Sequence, residues 1–255
     1  MLSADSRIFK NEEVLSSDYL PELLPHREQQ IKQLADNLLP ASRGRQPQNT
    51  FLFGSPGIGK TASVKYVFRE FEEYSGIKTI YINCWDYKTA TAVLSKIVIE
   101  LGYPVQRRGL GKDEIFDRLM EVLNKSSRSL IICLDEVDQL QQEALYDLSR
   151  LKTKNPLGLV AISNNPFIFA DIEPRIKSSL AVDEIEFKPY SLMEMKSILQ
   201  ERVKHSINLV EDGVVLLAAN RAVQKGGDVR VGLQCLLRAG RIAEQENSNR
   251  LKVEH

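Results

Sequence analysis

The stretch Gly54-Ser-Pro-Gly57-Ile-Gly59-Lys60-Thr61 constrains this chain more than any other. It follows an apolar run at Thr50–Phe53 with strand character and opens a helical pattern over Lys60–Tyr74. A Gly-x4-Gly-Lys-Thr loop between a strand and a helix is a phosphate cradle. The glycines let backbone N–H groups turn inward, and the helix N-terminus adds a favourable partial charge. In that arrangement Ser55, Pro56, Gly57, Ile58 and Gly59 wrap the phosphates of a nucleotide. Lys60 reaches the β- and γ-phosphates, and the Thr61 hydroxyl joins a magnesium shell.

The flanking pattern agrees with such a loop. Apolar runs at Thr79–Asn83, Leu130–Leu134 and Leu157–Ser163 read as buried parallel strands, with a weaker one at Val182–Phe187. Helical patterns separate them at Arg27–Leu39, Ala90–Leu101, Asp113–Asn124 and Asp138–Leu151. Strands alternating with helices predict an α/β fold, a three-layer arrangement with a parallel sheet covered on both faces. After Pro189 three helices follow without a strand, at Ser191–His205, Glu211–Val223 and Asp228–Gln245. Ser191 with Glu194 is a capping box for the first of these. The expected division is a nucleotide-binding base over 1–188 and a small all-α lid over 189–255, the lid packing against the base because it is too short for a robust core.

Charge and cysteine content narrow the setting. The chain has 255 residues with 34 Lys plus Arg and 34 Asp plus Glu, so a nucleic-acid contact has to come from local patches. Cys84, Cys133 and Cys235 lack metal-ligand spacing and read as free thiols in a reducing compartment. Neither a signal peptide nor a spanning apolar run is legible, which points to a cytoplasmic protein with no membrane partner.

Two further strand ends carry chemistry. The run Leu130-Ile-Ile-Cys-Leu-Asp135-Glu136 ends in two acids at the carboxyl edge of the sheet, where ligands sit in such folds. Asp135 suits the magnesium shell, and Glu136 suits orienting a water for attack on the γ-phosphate. Asp138 reads as a helix cap. The strand ending at Ser163 leads into Asn164-Asn165-Pro166, in which Asn164 can hydrogen-bond nucleotide and water while Asn165 and Pro166 serve a turn.

In this order the residues resemble the AAA+ ATPases, and within them the archaeal origin-recognition and cell-division-control initiators. The resemblance rests on the phosphate loop, Asp135-Glu136, Asn164 as first sensor and Gly227-Asp228-Val229-Arg230 as second. More specific are Tyr19-Leu-Pro-Glu-Leu-Leu-Pro25-His26-Arg27-Glu28, Glu173-Pro174-Arg175-Ile-Lys177-Ser-Ser-Leu180 and Arg238-Ala-Gly-Arg-Ile-Ala-Glu244. It implies that Leu20, Pro21, Pro25, His26 and Arg27 line the adenine end, that Arg230 contacts the phosphates, and that Arg175 is an arginine finger acting on a neighbour's nucleotide. It also implies ATP and ADP as ligands and slow, switch-like hydrolysis. The implied partners are duplex origin DNA, the replicative helicase or other initiator subunits, with ATP-dependent self-association. The winged-helix domain usual after the lid is absent from this sequence, and Asn165-Pro166 replaces the usual acid after the first sensor.

An inserted DNA-contacting motif of that family falls near Gly102–Lys112. Here Arg107, Arg108 and Lys112 stand in a glycine-bearing loop before a helix, a setting suited to phosphate contacts. Arg43 and Arg45 form a second small cluster. The sequence therefore reads as an ATP-switched replication initiator. A clamp-loader-like or helicase-loading assembly subunit and a non-hydrolysing ATP-dependent scaffold are the alternatives.

Overall fold

The computed structural model describes residues 7–105, 111–151, 153–169, 172–211 and 213–255. The chain forms two compact units, each discontinuous in sequence.

The larger unit comprises 29–54 and 63–186. It contains strands β1 (Thr50–Phe53), β2 (Lys78–Asn83), β3 (Leu130–Asp135), β4 (Leu157–Ser163) and β5 (Asp183–Glu186). They form one sheet in the order β2-β3-β4-β1-β5, every pairing parallel. The central strands β3 and β4 are buried along their whole length, which explains their unbroken apolar sequence. Helices α1 (Glu28–Leu38), α2 (Lys60–Tyr74), α3 (Ala90–Glu100), α4 (Lys112–Lys125), α5 (Gln142–Ser149) and α6 (Pro174–Leu180) alternate with the strands. The core joins Phe51, Ile80, Ile82 and Ile132 to Val93, Leu94 and Ile97 of α3 and Leu119 of α4. Because all strands run the same way, β1, β3 and β4 present their carboxyl ends on one edge. That edge carries Phe53, Asp135 and Ser163.

The smaller unit gathers 1–28, the phosphate loop at 55–62 and 187–255. Its helices are α7 (Leu192–Ser206), α8 (Val214–Gln224) and α9 (Val229–Gln245). Ser191 and Glu194 form the expected capping box on α7. No local sequence pattern marks the N-terminal segment as sewn to these helices. Phe9 bridges Ile207, the Asn208 N–H donates to the Ile8 carbonyl at 2.8 Å, and Arg202 donates to the carbonyls of Val14 and Tyr19. Two glycines allow the close packing. A Cβ on Gly232 would meet Leu199 at 2.7 Å, and one on Gly240 would meet the Phe9 ring at 2.3 Å.

One assignment is corrected. Asp138 caps no helix: it lies inside a short 3-10 turn, Val137–Gln139, while Glu136 and Gln141 precede the turn and α5. The Asp138 carboxylate instead accepts the Ser163 hydroxyl at 2.6 Å, tying the end of β3 to the end of β4. The predicted single helix from Asp138 is accordingly a turn followed by α5.

Gly240→Ala should lower the unfolding free energy by about 1–2 kcal/mol, although Ala is the better helix former, because the buried Phe9 ring has to move. Denaturant melts of the two proteins check this. An unchanged or raised midpoint would mean that the Phe9 contact is soft.

Candidate functional site

The phosphate loop needs backbone that most residues avoid. Gly54, Gly57 and Gly59 have φ of 141°, 71° and 95°, each in the region that favours glycine. Lys60 opens α2 and is buried, and its ammonium donates to the Ser55 carbonyl at 2.8 Å across the loop. The predicted residues Ser55 to Thr61 thus lie together, with Ile58 fully buried beneath them.

Arg27 anchors that loop from below. Its Nε donates to the Ile58 carbonyl at 3.0 Å, Nη1 to His26 at 3.1 Å and Nη2 to Lys188 at 2.8 Å. The guanidinium also stacks 3.8 Å from the Tyr190 ring centroid and 5.3 Å from that of Phe187. Burial lowers its pKa from the ordinary arginine value and pushes the Tyr190 phenol up to about 12. Tyr190, which sequence reasoning missed, also stands over the loop, with its hydroxyl 3.0 Å from where a Cβ on Gly59 would sit. Leu20, Pro21, Pro25 and His26 are partly buried in the same unit. His26 has φ 65°, and its Nε2 is buried without a hydrogen-bond partner among the described residues. A buried imidazole nitrogen lacking a partner fits a ligand with its own donors and acceptors.

From α9, Asp228 caps the helix and grips Arg230 through the guanidinium Nε (2.9 Å) and Nη2 (2.8 Å). The next N–H, of Val229, donates to the Gly57 carbonyl at 3.1 Å. A cleft of about 640 Å3 runs beside this pair, lined by Arg230, Gln234 and Arg241 of α9 and by Glu12, Ser16 and Ser17 of the N-terminal segment.

The larger unit holds the acids. Asp135 is buried; its Oδ2 accepts the Tyr81 hydroxyl at 2.6 Å and its Oδ1 the Glu136 N–H at 2.9 Å. Burial, and then the Asp135 carboxylate, raise the Tyr81 pKa well above the phenol value, so the phenol stays a donor. Glu136 has left-handed backbone (φ 56°, ψ 47°), a strained placement for a non-glycine residue that turns it off the strand. Its Oε2 accepts from the Asn164 side chain at 3.2 Å. Asn165 makes the expected turn, its side chain accepting the Phe167 N–H. No group of three or more His, Cys, Asp or Glu among the described residues can hold a metal. At the end of β3, Asp135 offers an oxygen donor of the type that magnesium takes together with phosphates and water.

Two of the remaining predicted residues fall on described helices. Arg175 is exposed in the first turn of α6, behind Pro174. Lys112 pairs with Asp147 at 3.2 Å, while Arg107 and Arg108 lie outside the described residues. No helix among the described residues is long and apolar enough to cross a membrane.

Comparison with known proteins matches an AAA domain over residues 43–166 and a Cdc6 AAA+ ATPase-type lid domain over 196–255. An ORC1-type DNA replication protein of Aeropyrum pernix is 36% identical over 98% of this chain and 68% of its own. The chain belongs to the ORC1-type DNA replication proteins. Within this family the Archaeoglobus fulgidus protein is 38% identical over 99% of this chain, which spans 65% of that relative's length. The solved structure of Aeropyrum pernix ORC1 in complex with DNA has a TM-score of 0.91 at 36% identity, covering 98% of this chain and 69% of that one. Pyrobaculum aerophilum Cdc6p has a TM-score of 0.88 at 26% identity, covering 96% and 69%. These likenesses make the fold an AAA+ phosphate-loop fold with a helical lid, as the ORC1-type sequence pattern leads one to expect.

Arg27→Ala should destabilise the nucleotide-free protein by about 2–4 kcal/mol, since buried carbonyls lose their donors. Arg27→Lys should recover little, because one ammonium cannot replace a planar fork on two aromatic faces. Thermal melts of both variants test this, and full recovery by lysine would reduce Arg27 to a simple charge.

Proposed function

We propose that this chain is the ATP-binding, slowly hydrolysing part of a replication initiator that engages origin DNA and helps load the replicative helicase. The observation that carries the hydrolytic reading is Glu136, turned off the end of β3 beside Asp135 and hydrogen-bonded by Asn164. A non-hydrolysing scaffold has no need of a strained glutamate held by an amide.

In this reading the loop from Ser55 to Gly59 and Lys60 bind the phosphates. Leu20, Pro21, Pro25, His26 and Arg27 form the adenine end, Arg27 acting through the backbone it holds. Magnesium, carried by Thr61 and Asp135, supplies charge neutralisation to the phosphate oxygens. Tyr81 fixes the Asp135 carboxylate by its hydrogen bond. Glu136 orients water and takes its proton as the oxygen attacks the γ-phosphorus; the bond to the bridging oxygen breaks, leaving ADP and phosphate. Asn164 and Arg230 sense the γ-phosphate, and Arg175 completes a neighbour's site in an ATP-dependent assembly. The functional parts are a base over 1–188 and a lid over 189–255, in a cytoplasmic protein. Support for a DNA partner comes from relatives named for DNA replication and from one solved in complex with DNA.

Lys60→Ala should abolish ATP binding, and Glu136→Gln should retain binding while stopping turnover. Nucleotide retention and single-turnover ADP formation measure the two, and normal turnover in Glu136→Gln would end its role as the water-orienting base.

For DNA, Arg107, Arg108 and Lys112 provide a weak contact of low sequence preference. Each basic contact removed should flatten the log–log salt dependence by roughly one. Because Lys112 already pairs with Asp147, Lys112→Ala should lose less than either arginine variant. Salt titrations on origin and scrambled duplexes test this; identical curves for wild type and the triple variant would favour the protein-assembly alternative.

A further inference from the structure

Asp228 makes two separate contacts with one carboxylate. It accepts the Arg230 backbone N–H at 2.9 Å and holds the guanidinium at Nε and Nη2. It also lies hard against the middle of the phosphate loop. A Cβ on Gly57 would fall 1.8 Å from Asp228 Oδ1, so only glycine fits there. Capping α9 requires a side-chain oxygen, and a neutral amide or hydroxyl would serve as well as a carboxylate. The negative charge therefore needs another reason, because a carboxylate placed beside a phosphate cradle opposes the anion that the cradle attracts.

We propose that Asp228 is a positioning residue for Arg230: an internal anion, seated on the phosphate loop, that sets where the guanidinium points and offsets its charge. This rests on the nucleotide-binding reading of the loop. Burial works to raise the Asp228 carboxyl, but Arg230 outweighs it and holds the group below the ordinary carboxylate range, so it is charged at neutral pH. The pair adds no net charge next to the loop. Arg230 is kept at the site without holding nucleotide so tightly that ATP and ADP are bound alike, and its orientation is fixed before phosphates compete for it.

This arrangement predicts effects of opposite sign on binding and on turnover, which a purely structural residue would not give. Asp228→Asn keeps the capping oxygen, so the melting temperature of the nucleotide-free protein should be unchanged. Removing one negative charge near the phosphates should tighten ATP and ADP about threefold to tenfold at low salt, less at high salt. Single-turnover hydrolysis should slow about tenfold, because Arg230 loses its bidentate partner. Arg230→Ala should weaken nucleotide instead, and the Asp228→Asn/Arg230→Ala double variant should return to near wild-type affinity with turnover no slower than Arg230→Ala alone. Fluorescent-nucleotide titration and single-turnover assays on the four proteins decide the matter. Weakened binding in Asp228→Asn, unchanged binding, or additive losses in turnover would overturn the inference while leaving the nucleotide site standing. Wild-type protein that failed to bind ATP would overturn the nucleotide reading, and this inference with it.

Discussion

The organisation of the smaller unit depends on one buried cation. The Arg27 guanidinium, 5% exposed, donates to carbonyls from the phosphate loop, from its own segment and from the chain leaving β5. Taking a guanidinium out of water is costly, and here three carbonyls and two aromatic faces offset that cost. A planar fork serves several fixed acceptors at once, which a single ammonium cannot do. The phosphate loop is thereby fixed from beneath by a buried charge. Tyr190 takes part on both sides, stacking on Arg27 and limiting Gly59.

The acids of the larger unit follow a different logic, that of strand register. Asn83 of β2 pairs with Asp135 of β3, which brings Tyr81 near the Asp135 carboxylate. The same edge carries Ser163 to Asp138 and Asn164 to Glu136. Each acid that ends β3 is held by a group from a neighbouring strand or its following loop. Parallel pairing delivers these partners without any of them being near in sequence.

Local patterns made the sheet legible. Apolar runs such as Leu130–Leu134 and Leu157–Ser163 have the length and composition of buried strands, and the glycine spacing marks the phosphate loop. The first helix of the lid was legible through its capping box, and the bounds of all three differ from the expected ones by at most three residues. What could not be read depends on distant contacts. Asp138 has the composition of a cap, yet Ser163, 25 residues away, supplies a better partner than the helix does. Tyr81 looks like an ordinary strand residue until register sets it beside Asp135. The sewing of Ile8 and Phe9 to the end of α7 leaves no local trace, and neither does the reach of Arg27 to Lys188.

That sewing bears on the order in which the chain acquires structure during synthesis. Asn208 donates to the Arg7 carbonyl across a sequence separation of 201 residues. At ribosomal rates the N-terminal strip, with Ile8, Phe9, Val14 and Leu15, waits roughly 10–40 s for α7 to emerge. The α/β unit, complete once β5 is made, can form in that interval. The nascent protein thus carries an uncovered apolar strip until α7 is made, an interval in which a chaperone would find a surface to bind and the chain is open to aggregation.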